Sequence, residues 1–140
     1  MQKNYLCGAL IKQIHDEVEK TANALLRQQG LTLSQMNVLM ELEEAPSHQL
    51  SLKELEGLLH VAQSTAAGIV VRLEQKGFVK SFTDDNDRRV KNVSITDSGM
   101  ACCKTAATDI SHMEETLLSG LSETEKVLFR DLLEKVFRSF

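Results

Sequence analysis

Two helical patterns separated by only a few residues constrain the fold more than any other feature of this 140-residue chain. Residues 51–54 (Ser-Leu-Lys-Glu) match a capping box, in which the serine and glutamate side chains each satisfy an unpaired backbone N–H at a helix start. The helix predicted from there ends near His60, and a second helix runs from Gln63 to Lys76. Because so short a connection forces a sharp turn, we predict a helix-turn-helix.

Each of these two predicted helices carries a single apolar stripe. In the longer helix the stripe repeats at i, i+3, i+4 and i+7, which is the spacing of one buried helix face. The opposite face is then left for another molecule. The residues predicted to face inward are Leu52, Leu55, Leu58 and Leu59 in the shorter helix, and Ala66, Ile69, Val70 and Leu73 in the longer one.

The pattern changes after Gly77, a residue that can adopt the left-handed conformation in which many helices end. Residues 78–82 and 90–95 are rich in β-prone side chains, and residues 83–89 between them are rich in turn formers. A β-hairpin is therefore predicted directly after the helix-turn-helix.

Further helices are predicted on both sides of this unit. One ends before Gly30, capping boxes at residues 32–35 and 122–125 start two more, and Thr96 caps a long helix that reaches about Ser119. The predicted fold is mainly α with a small β-hairpin wing: a winged helix-turn-helix with N- and C-terminal dimerisation helices. One domain is expected over residues 1–140, with the winged helix-turn-helix at about 31–99 and the helical dimerisation region at about 1–30 and 100–140.

The last predicted helix has more apolar surface than a terminal helix should leave in water. Two interpretations are open: this face packs against its own domain, or it forms a dimer interface with a second copy. The amphipathic first helix favours the dimer. The apolar residues of the last helix are Leu128, Phe129, Leu132, Leu133, Val136, Phe137 and Phe140.

Composition and missing motifs exclude several classes of protein. The chain is long enough for one domain and too short for a second, catalytic one. It has no glycine-rich phosphate loop, no Cys-x-x-Cys motif and no nucleophile elbow, so we expect no enzyme, no catalytic residues, no cofactor and no metal site. No apolar run is long enough for a membrane span or a secretory leader, so we expect a cytoplasmic protein without a membrane partner.

The net charge of −4 does not exclude nucleic acid as a partner, because its distribution matters more than its sum. Residues 51–99 contain seven Lys/Arg and seven Asp/Glu, so the entire negative excess lies outside the predicted helix-turn-helix and hairpin.

Three short motifs occur in a fixed order along this segment. They are Leu-Glu-x-x-Gly-Phe-Val at residues 73–79, Asp-Arg-Arg at 87–89 and Ile-Thr-x-x-Gly at 95–99. Their order and spacing resemble the MarR family of winged helix-turn-helix transcriptional regulators, from about Leu25 to the C-terminus. The resemblance implies a homodimer that binds pseudo-palindromic double-stranded operator DNA, a repressor released by a small aromatic or phenolic ligand.

The exposed face of the longer helix is predicted to enter the major groove of the DNA, which admits an α-helix. Gln63, Ser64 and Thr65 at its N-terminus can meet base edges or phosphates; alternatively, Ser64 and Thr65 only cap the helix. Ala67, which can touch a thymine methyl, and Gly68 follow, so base readout is thin and DNA shape is expected to contribute. Gly68 indicates either a close approach to DNA or tight packing against another helix.

Basic residues supply the remaining predicted contacts. Arg88 and Arg89 at the hairpin tip can enter a minor groove, where narrow A·T stretches concentrate negative potential. The resemblance gives Asp87 the role of orienting one of these arginines, and a surface salt-bridge cluster is the alternative. The predicted phosphate contacts are Arg72, Lys80 and Lys91.

Two ways of sensing a signal stay open. Peroxide-sensing members of the family carry a reactive cysteine near the start of the first helix, where this chain has Cys7. A small aromatic ligand would instead lie between the dimerisation region and the DNA-binding region, with Ile11, Met36 and Met40 as candidate lining residues; core packing is their alternative role. Zinc-sensing members use a Glu-His pair where Met36 and Asn37 stand, which argues against a metal.

Overall fold

Side-chain caps define the starts of four helices in the computed structural model, which describes residues 6–140. In three capping boxes a hydroxyl accepts a backbone N–H at 3.0 to 3.2 Å, and the Gln or Glu side chain accepts the N–H of the capping residue in return. Thr96 Oγ1 accepts the N–H of Gly99 at 3.0 Å in the same way. All four predicted caps are confirmed, while the first five residues of the predicted N-terminal region lie outside the described range.

The helices and strands follow the predicted order with one addition, a short first strand. Turns of 3-10 helix at Arg27–Gln29 and Pro46–His48 follow the first two helices. The helices are α1 (Cys7–Leu26), α2 (Leu33–Glu44), α3 (Leu52–Leu59), α4 (Gln63–Gln75), α5 (Asp97–Leu117) and α6 (Glu123–Phe137), and the strands are β1 (Gln49–Ser51), β2 (Val79–Thr83) and β3 (Lys91–Ile95).

The sheet has three antiparallel strands in the order β1-β3-β2, so the predicted hairpin pairs with a third strand. Leu50 of β1 lies opposite Val93 of β3, and both side chains are buried. This pairing ties the start of α3 to the base of the hairpin. We call β2, residues 84–90 and β3 together the wing.

One core cluster serves both halves of the molecule. It combines residues of α1, α2, α3, α4, the sheet and α5, whereas α6 contributes no buried residue. The helix-turn-helix therefore shares its core with the long helices and does not form a separate body. The largest fully buried side chains are Leu26, Met36, Leu39, Leu42, Leu55, Leu73, Val38, Val70, Val79, Val93 and Cys103.

One predicted core residue is wrong: Leu58 is 49 % exposed. The inward face of α3 is set by Leu55, with Leu52 and Leu59 packing partly against the same cluster. Leu58 precedes Leu59 by one residue, and side chains one residue apart on a helix point in different directions. In a helix of only eight residues, four leucines do not fit on one inward face.

Apolar residues of α1 and α6 remain exposed in the single chain. On α6 they include Leu132 and Phe137, which are 51 % and 63 % exposed, and on α1 they include Leu10 and Ile14, which are 50 % and 42 % exposed. Apart from an edge-to-face contact of Phe137 with the ring of His60, whose centroids lie 5.7 Å apart, this α6 face is not packed against its own domain. Within residues 6–140, no helix combines the length and the apolarity that crossing a membrane requires.

Gly99, in the first turn of α5, is a position where a larger side chain does not fit. A Cβ added there would overlap the carbonyl oxygen of Phe78 and lie 2.8 Å from Ile95 Cγ1. We expect Gly99→Ala to lower the free energy of unfolding by about 1–3 kcal/mol, as overpacking does. Urea denaturation followed by circular dichroism measures the change.

Gly57→Ala in α3 is the matched control, because a Cβ at Gly57 meets nothing within 4 Å. Replacing a helical glycine by alanine in open space stabilises by about 0.5–1 kcal/mol. Equal stability changes for the two variants would contradict the close packing of α5 on the start of the wing.

Candidate nucleic-acid interface

Helix α4 presents one side to the core and the other to solvent. Ala66, Val70 and Leu73 are buried, and Ile69 is half-buried, as the stripe predicts. On the outer side, Ala67 is half-buried, and the predicted contacts that are exposed are Gln63, Ser64, Thr65, Gly68 and Arg72.

The N-terminus of α4 lacks a side-chain cap, unlike the starts of α2, α3, α5 and α6. Its N-cap is Ala62, and neither Ser64 nor Thr65 makes a capping hydrogen bond. The capping role considered for these two hydroxyls is therefore excluded. A helix start without a cap keeps unpaired N–H donors that favour an anion, and the three polar side chains beside it remain exposed.

Gly68 lies in open space on the outer side of α4. A Cβ added to it would meet no atom within 4 Å among the described residues. Tight packing against another helix of the same chain, one of the two explanations for this glycine, is thus excluded. The other explanation, a close approach of the helix to DNA, stays a prediction.

The wing tip is organised by two aspartates. Asp87 accepts Nε and Nη2 of Arg89 at 3.1 and 3.2 Å, and the N–H of Arg89 at 3.0 Å. These hydrogen bonds hold the pKa of Asp87 below its usual value. Asp84 accepts the N–H of Asn86 at 2.8 Å and is also bonded by Asn92 Nδ2 at 3.3 Å, which lowers the pKa of Asp84.

The paired guanidinium nevertheless stays accessible, since the Arg89 side chain is 91 % exposed. Arg88 is exposed too, and its side chain makes no hydrogen bond or ion pair within residues 6–140. A carboxyl with a depressed pKa stays ionised at every pH above that pKa. Asp87 therefore keeps its charge down to a lower pH than an ordinary aspartate does.

Four carboxylates near α4 and the wing are hydrogen-bonded within the chain, whereas the side chains of Glu56 and Asp85 have no hydrogen-bond partner among the described residues. Glu54 caps α3, Glu74 accepts both the hydroxyl and the N–H of Ser81, and Asp84 and Asp87 bind the wing loop. Within residues 51–99, the basic side chains without an ion-pair partner among the described residues are Lys53, Arg72, Lys76, Lys80, Arg88 and Lys91. These basic groups can meet an anion, although the local charge balance stays at zero because a carboxylate bonded to neutral donors keeps its charge.

A surface groove brings the start of α4 and the wing together. It is lined by Ser51 at the end of β1, Leu52, Lys53 and Glu56 of α3, Gln63 of α4, and Arg89, Val90 and Lys91 of the wing. Three of the predicted contacts, Gln63, Arg89 and Lys91, therefore share one groove. The groove also adds Lys53, which the sequence reasoning missed; a lysine in the first turn of a helix opposes the helix dipole and was the available signal.

The candidate ligand residues do not share an exposed surface in the single chain. Met36 is fully buried in the core, Met40 packs partly against it, and Ile11 is 48 % exposed on α1. Core packing thus accounts for Met36.

The three cysteines have different surroundings. Cys7 is exposed at the first residue of α1, Cys102 is half-buried, and Cys103 is buried with Sγ 2.9 Å from Glu43 Oε2. Burial, and then the Glu43 carboxylate, raise the pKa of Cys103 to about 12. Burial also raises the pKa of Cys102.

Among the described residues, one group has metal-ligand geometry: His15, Asp16 and Glu19 of α1, whose ligand atoms lie within 4.8 Å of one another. Lys12 Nζ donates to both carboxylate oxygens of Asp16 and competes for that ligand. The group lies on α1 and does not belong to the interface described above.

Comparisons with known proteins show which sequences and folds this chain resembles. The MarR family model matches residues 31–91, which run from the start of α2 to the start of β3. The S. aureus MepR–DNA complex superimposes with a TM-score of 0.88 at 26 % identity, over 97 % of this chain and 99 % of that chain. The chain is therefore similar to MarR-family proteins in sequence over residues 31–91 and in fold over nearly its whole length.

A second solved structure and a relative show the same likeness over most of their length. A cysteine-to-serine mutant of MarR from E. coli, complexed with operator DNA, has a TM-score of 0.84 at 26 % identity, over 92 % of this chain and 91 % of that chain. The transcriptional repressor MprA of E. coli strain K12 is 27 % identical over 133 residues, which are 95 % of this chain and 73 % of MprA. The fold and the family expected from the sequence are thereby confirmed.

Thiol chemistry tests the core of this protein directly. At about pH 8, iodoacetamide should alkylate Cys7 fastest, Cys102 slowly and Cys103 only after unfolding, because a thiol is nucleophilic only as the thiolate. A raised pKa keeps the thiol neutral until the pH approaches that pKa, so Cys103 stays protected in mildly alkaline buffer. Mass spectrometry of timed samples gives the order, and rapid native labelling of Cys103 would contradict its burial.

Proposed function

We propose that this MarR-family regulator is a repressor that binds a pseudo-palindromic operator as a homodimer and is released by a small aromatic or phenolic ligand. The observation that carries the DNA-binding part is the groove where Gln63 of α4 meets Arg89 and Lys91 of the wing. It joins an exposed helix start to an arginine already oriented by Asp87. The name of the relative MprA, a transcriptional repressor, supports the direction of regulation.

Helix α4 would lie in the major groove. Its exposed Gln63, Ser64 and Thr65 are placed to reach base edges or the phosphates beside them. Ala67 and the open space over Gly68 would allow the helix backbone to lie close to the DNA. Since few polar side chains follow, part of the specificity would come from the shape of the operator.

The wing would place Arg89 in the adjacent minor groove, with Arg88 beside it. Asp87 fixes the Arg89 guanidinium before DNA arrives, so less side-chain freedom is lost on binding. Arg72, Lys91 and Lys53 would contact phosphates, and Lys80 of β2 is a further candidate.

A second copy of the chain would cover the exposed apolar faces of α1 and α6. Exposed apolar faces of this kind mark sites of interaction with another protein. Two-fold symmetry would then set two copies of α4 about one helical turn of DNA apart. We assign DNA binding to residues 31–99 and dimerisation to 1–30 and 100–140 on this basis.

The ligand would bind where the dimerisation helices meet the DNA-binding region. Ile11 is exposed on α1, and Met40 is half-buried on α2, so a partner chain over α1 would complete such a site. Met36 would line it only through a rearrangement of the core, since its side chain is fully buried.

Wing substitutions test the proposal. Arg89→Ala should weaken operator binding by more than about tenfold, because a charged group leaves the minor groove, and Arg88→Ala should act similarly. Asp87→Asn should weaken it less, since the arginine remains but loses its ionised partner. Fluorescence anisotropy with the promoter upstream of the chain's own gene measures these affinities.

The matched control is Lys104→Ala, which removes an exposed positive charge from α5 outside the interface. Its operator affinity should equal that of the wild type, and all variants should remain dimeric in sedimentation. Unchanged binding by the Arg88/Arg89 double variant would refute the role of the wing.

A redox-sensing regulator acting through Cys7 is the second candidate, favoured by the exposure of this thiol at the start of α1. Ligand release predicts that iodoacetamide leaves the operator affinity of the wild type equal to that of Cys7→Ser. A loss of affinity seen in the wild type and absent in Cys7→Ser would replace ligand release with redox control.

A further inference from the structure

Lys76, the residue after the last turn of α4, makes two contacts that lie on the side of the helix-turn-helix facing α1 and α2. Its Nζ donates to Gln35 Oε1 at 2.9 Å and to the carbonyl oxygen of Gly30. Neither partner belongs to the groove formed by α3, α4 and the wing. The contact role proposed for the other basic residues of this segment therefore does not account for Lys76.

The two acceptors form the junction between α1 and α2. Gly30, in the left-handed conformation with φ 71°, ends the short turn after α1. Gln35 is only 5 % exposed, and its Oε1 also accepts the N–H of Thr32 in the capping box of α2. The ammonium of Lys76 thus supplies a second donor to a buried amide oxygen that holds the start of α2.

Helix α5 reaches the same junction from the other side. Cys102 Sγ lies 4.0 Å from the carbonyl oxygen of Gln29, next to Gly30. Lys76 and Cys102 therefore bond to adjacent carbonyl groups, those of Gly30 and Gln29. The end of α4 and the first half of α5 both contact the turn between α1 and α2.

We propose that Lys76 is a positioning residue, which sets the orientation of α4 relative to the dimerisation helices by closing the junction of Gly30 and Gln35. The proposal rests on the proposed binding of a two-fold operator. In such a dimer, the angle between α4 and α1 determines how far apart the two copies of α4 lie. Lys76 would then define the spacing of the half-sites without touching DNA.

A positioning role and a phosphate contact make opposite predictions for Lys76. Removing a phosphate contact makes the fall of log affinity with log salt concentration shallower by about one unit of slope. It also weakens binding to all DNA sequences alike. Loss of a positioning contact leaves that slope unchanged. Such a loss weakens binding only to DNA on which both half-sites must be bound at once.

Lys76→Met keeps the length of the side chain and removes its donors, so it is the informative variant. Its affinity for the full operator should fall about fivefold, while its affinity for a duplex with one half-site stays at the wild-type value. It should also discriminate less than the wild type against operators whose half-sites are moved apart by one base pair. Lys76→Arg, which still donates to both oxygens, should restore affinity and spacing preference.

Fluorescence anisotropy over a salt series measures the affinities for the full operator, the single half-site and the operator with altered spacing. Lys104→Met is the control for a lost charge. A salt slope lowered by about one in Lys76→Met would make Lys76 a phosphate contact and overturn the proposal. Equal loss on full and half-site duplexes, or no change in spacing preference, would also overturn it. A wild type that binds no duplex would refute the proposed function and this role with it, whereas failure of Lys76→Met alone would refute only the role of Lys76.

Discussion

The attachment of the wing to α4 is the constraint on which the interface depends. Glu74 near the end of α4 accepts the N–H and the hydroxyl of Ser81 in β2 at 2.7 and 2.6 Å, and these bonds hold the pKa of Glu74 below its usual value. Gly77 turns the chain between them at φ 78°, and Thr96 Oγ1 donates to the Gly77 carbonyl at 2.7 Å. The helix and the hairpin are thereby fixed as one unit, so an arginine at the wing tip has a defined position relative to the start of α4.

An acidic protein can present a basic surface when its carboxylates are used internally. Glu54, Glu74, Asp84 and Asp87 each serve as a cap, a brace or an orienting partner, and of the carboxylates near α4 and the wing only those of Glu56 and Asp85 lack a hydrogen-bond partner among the described residues. Net charge therefore misleads in this chain, because long-range attraction to DNA depends on which charges remain unpaired near the contact. The ion pair of Asp87 and Arg89 serves two purposes, since it neutralises Asp87 and also orients Arg89.

The helices were predictable because each start carries a local signal. Thr32, Ser51, Thr96 and Ser122 bond to backbone groups three residues away, so the sequence alone contains both partners. β1 was missed since three residues show no periodicity and the strand exists only by pairing with β3. Leu58 was misplaced because its burial depends on which way a short helix is turned, which tertiary packing decides.

The interface was predictable in part for the same physical reason. Asp87 and Arg89 lie two residues apart, so their pairing is local, and the motif that contains them was visible. Lys53 and the junction of Lys76 with Gly30 and Gln35 depend on segments distant in sequence that meet only in the folded chain. A single sequence carries no pattern for such contacts, and they had to come from the structure.

We propose that two copies of α4 and the wing bind one stretch of duplex DNA together. Hydroxyl-radical footprinting on the promoter upstream of the chain's own gene tests it most directly. We expect two symmetric protected regions about one helical turn apart, each with a protected minor-groove flank where the wing lies. A duplex left uniformly accessible, or a single protected region without a symmetric counterpart, would contradict it.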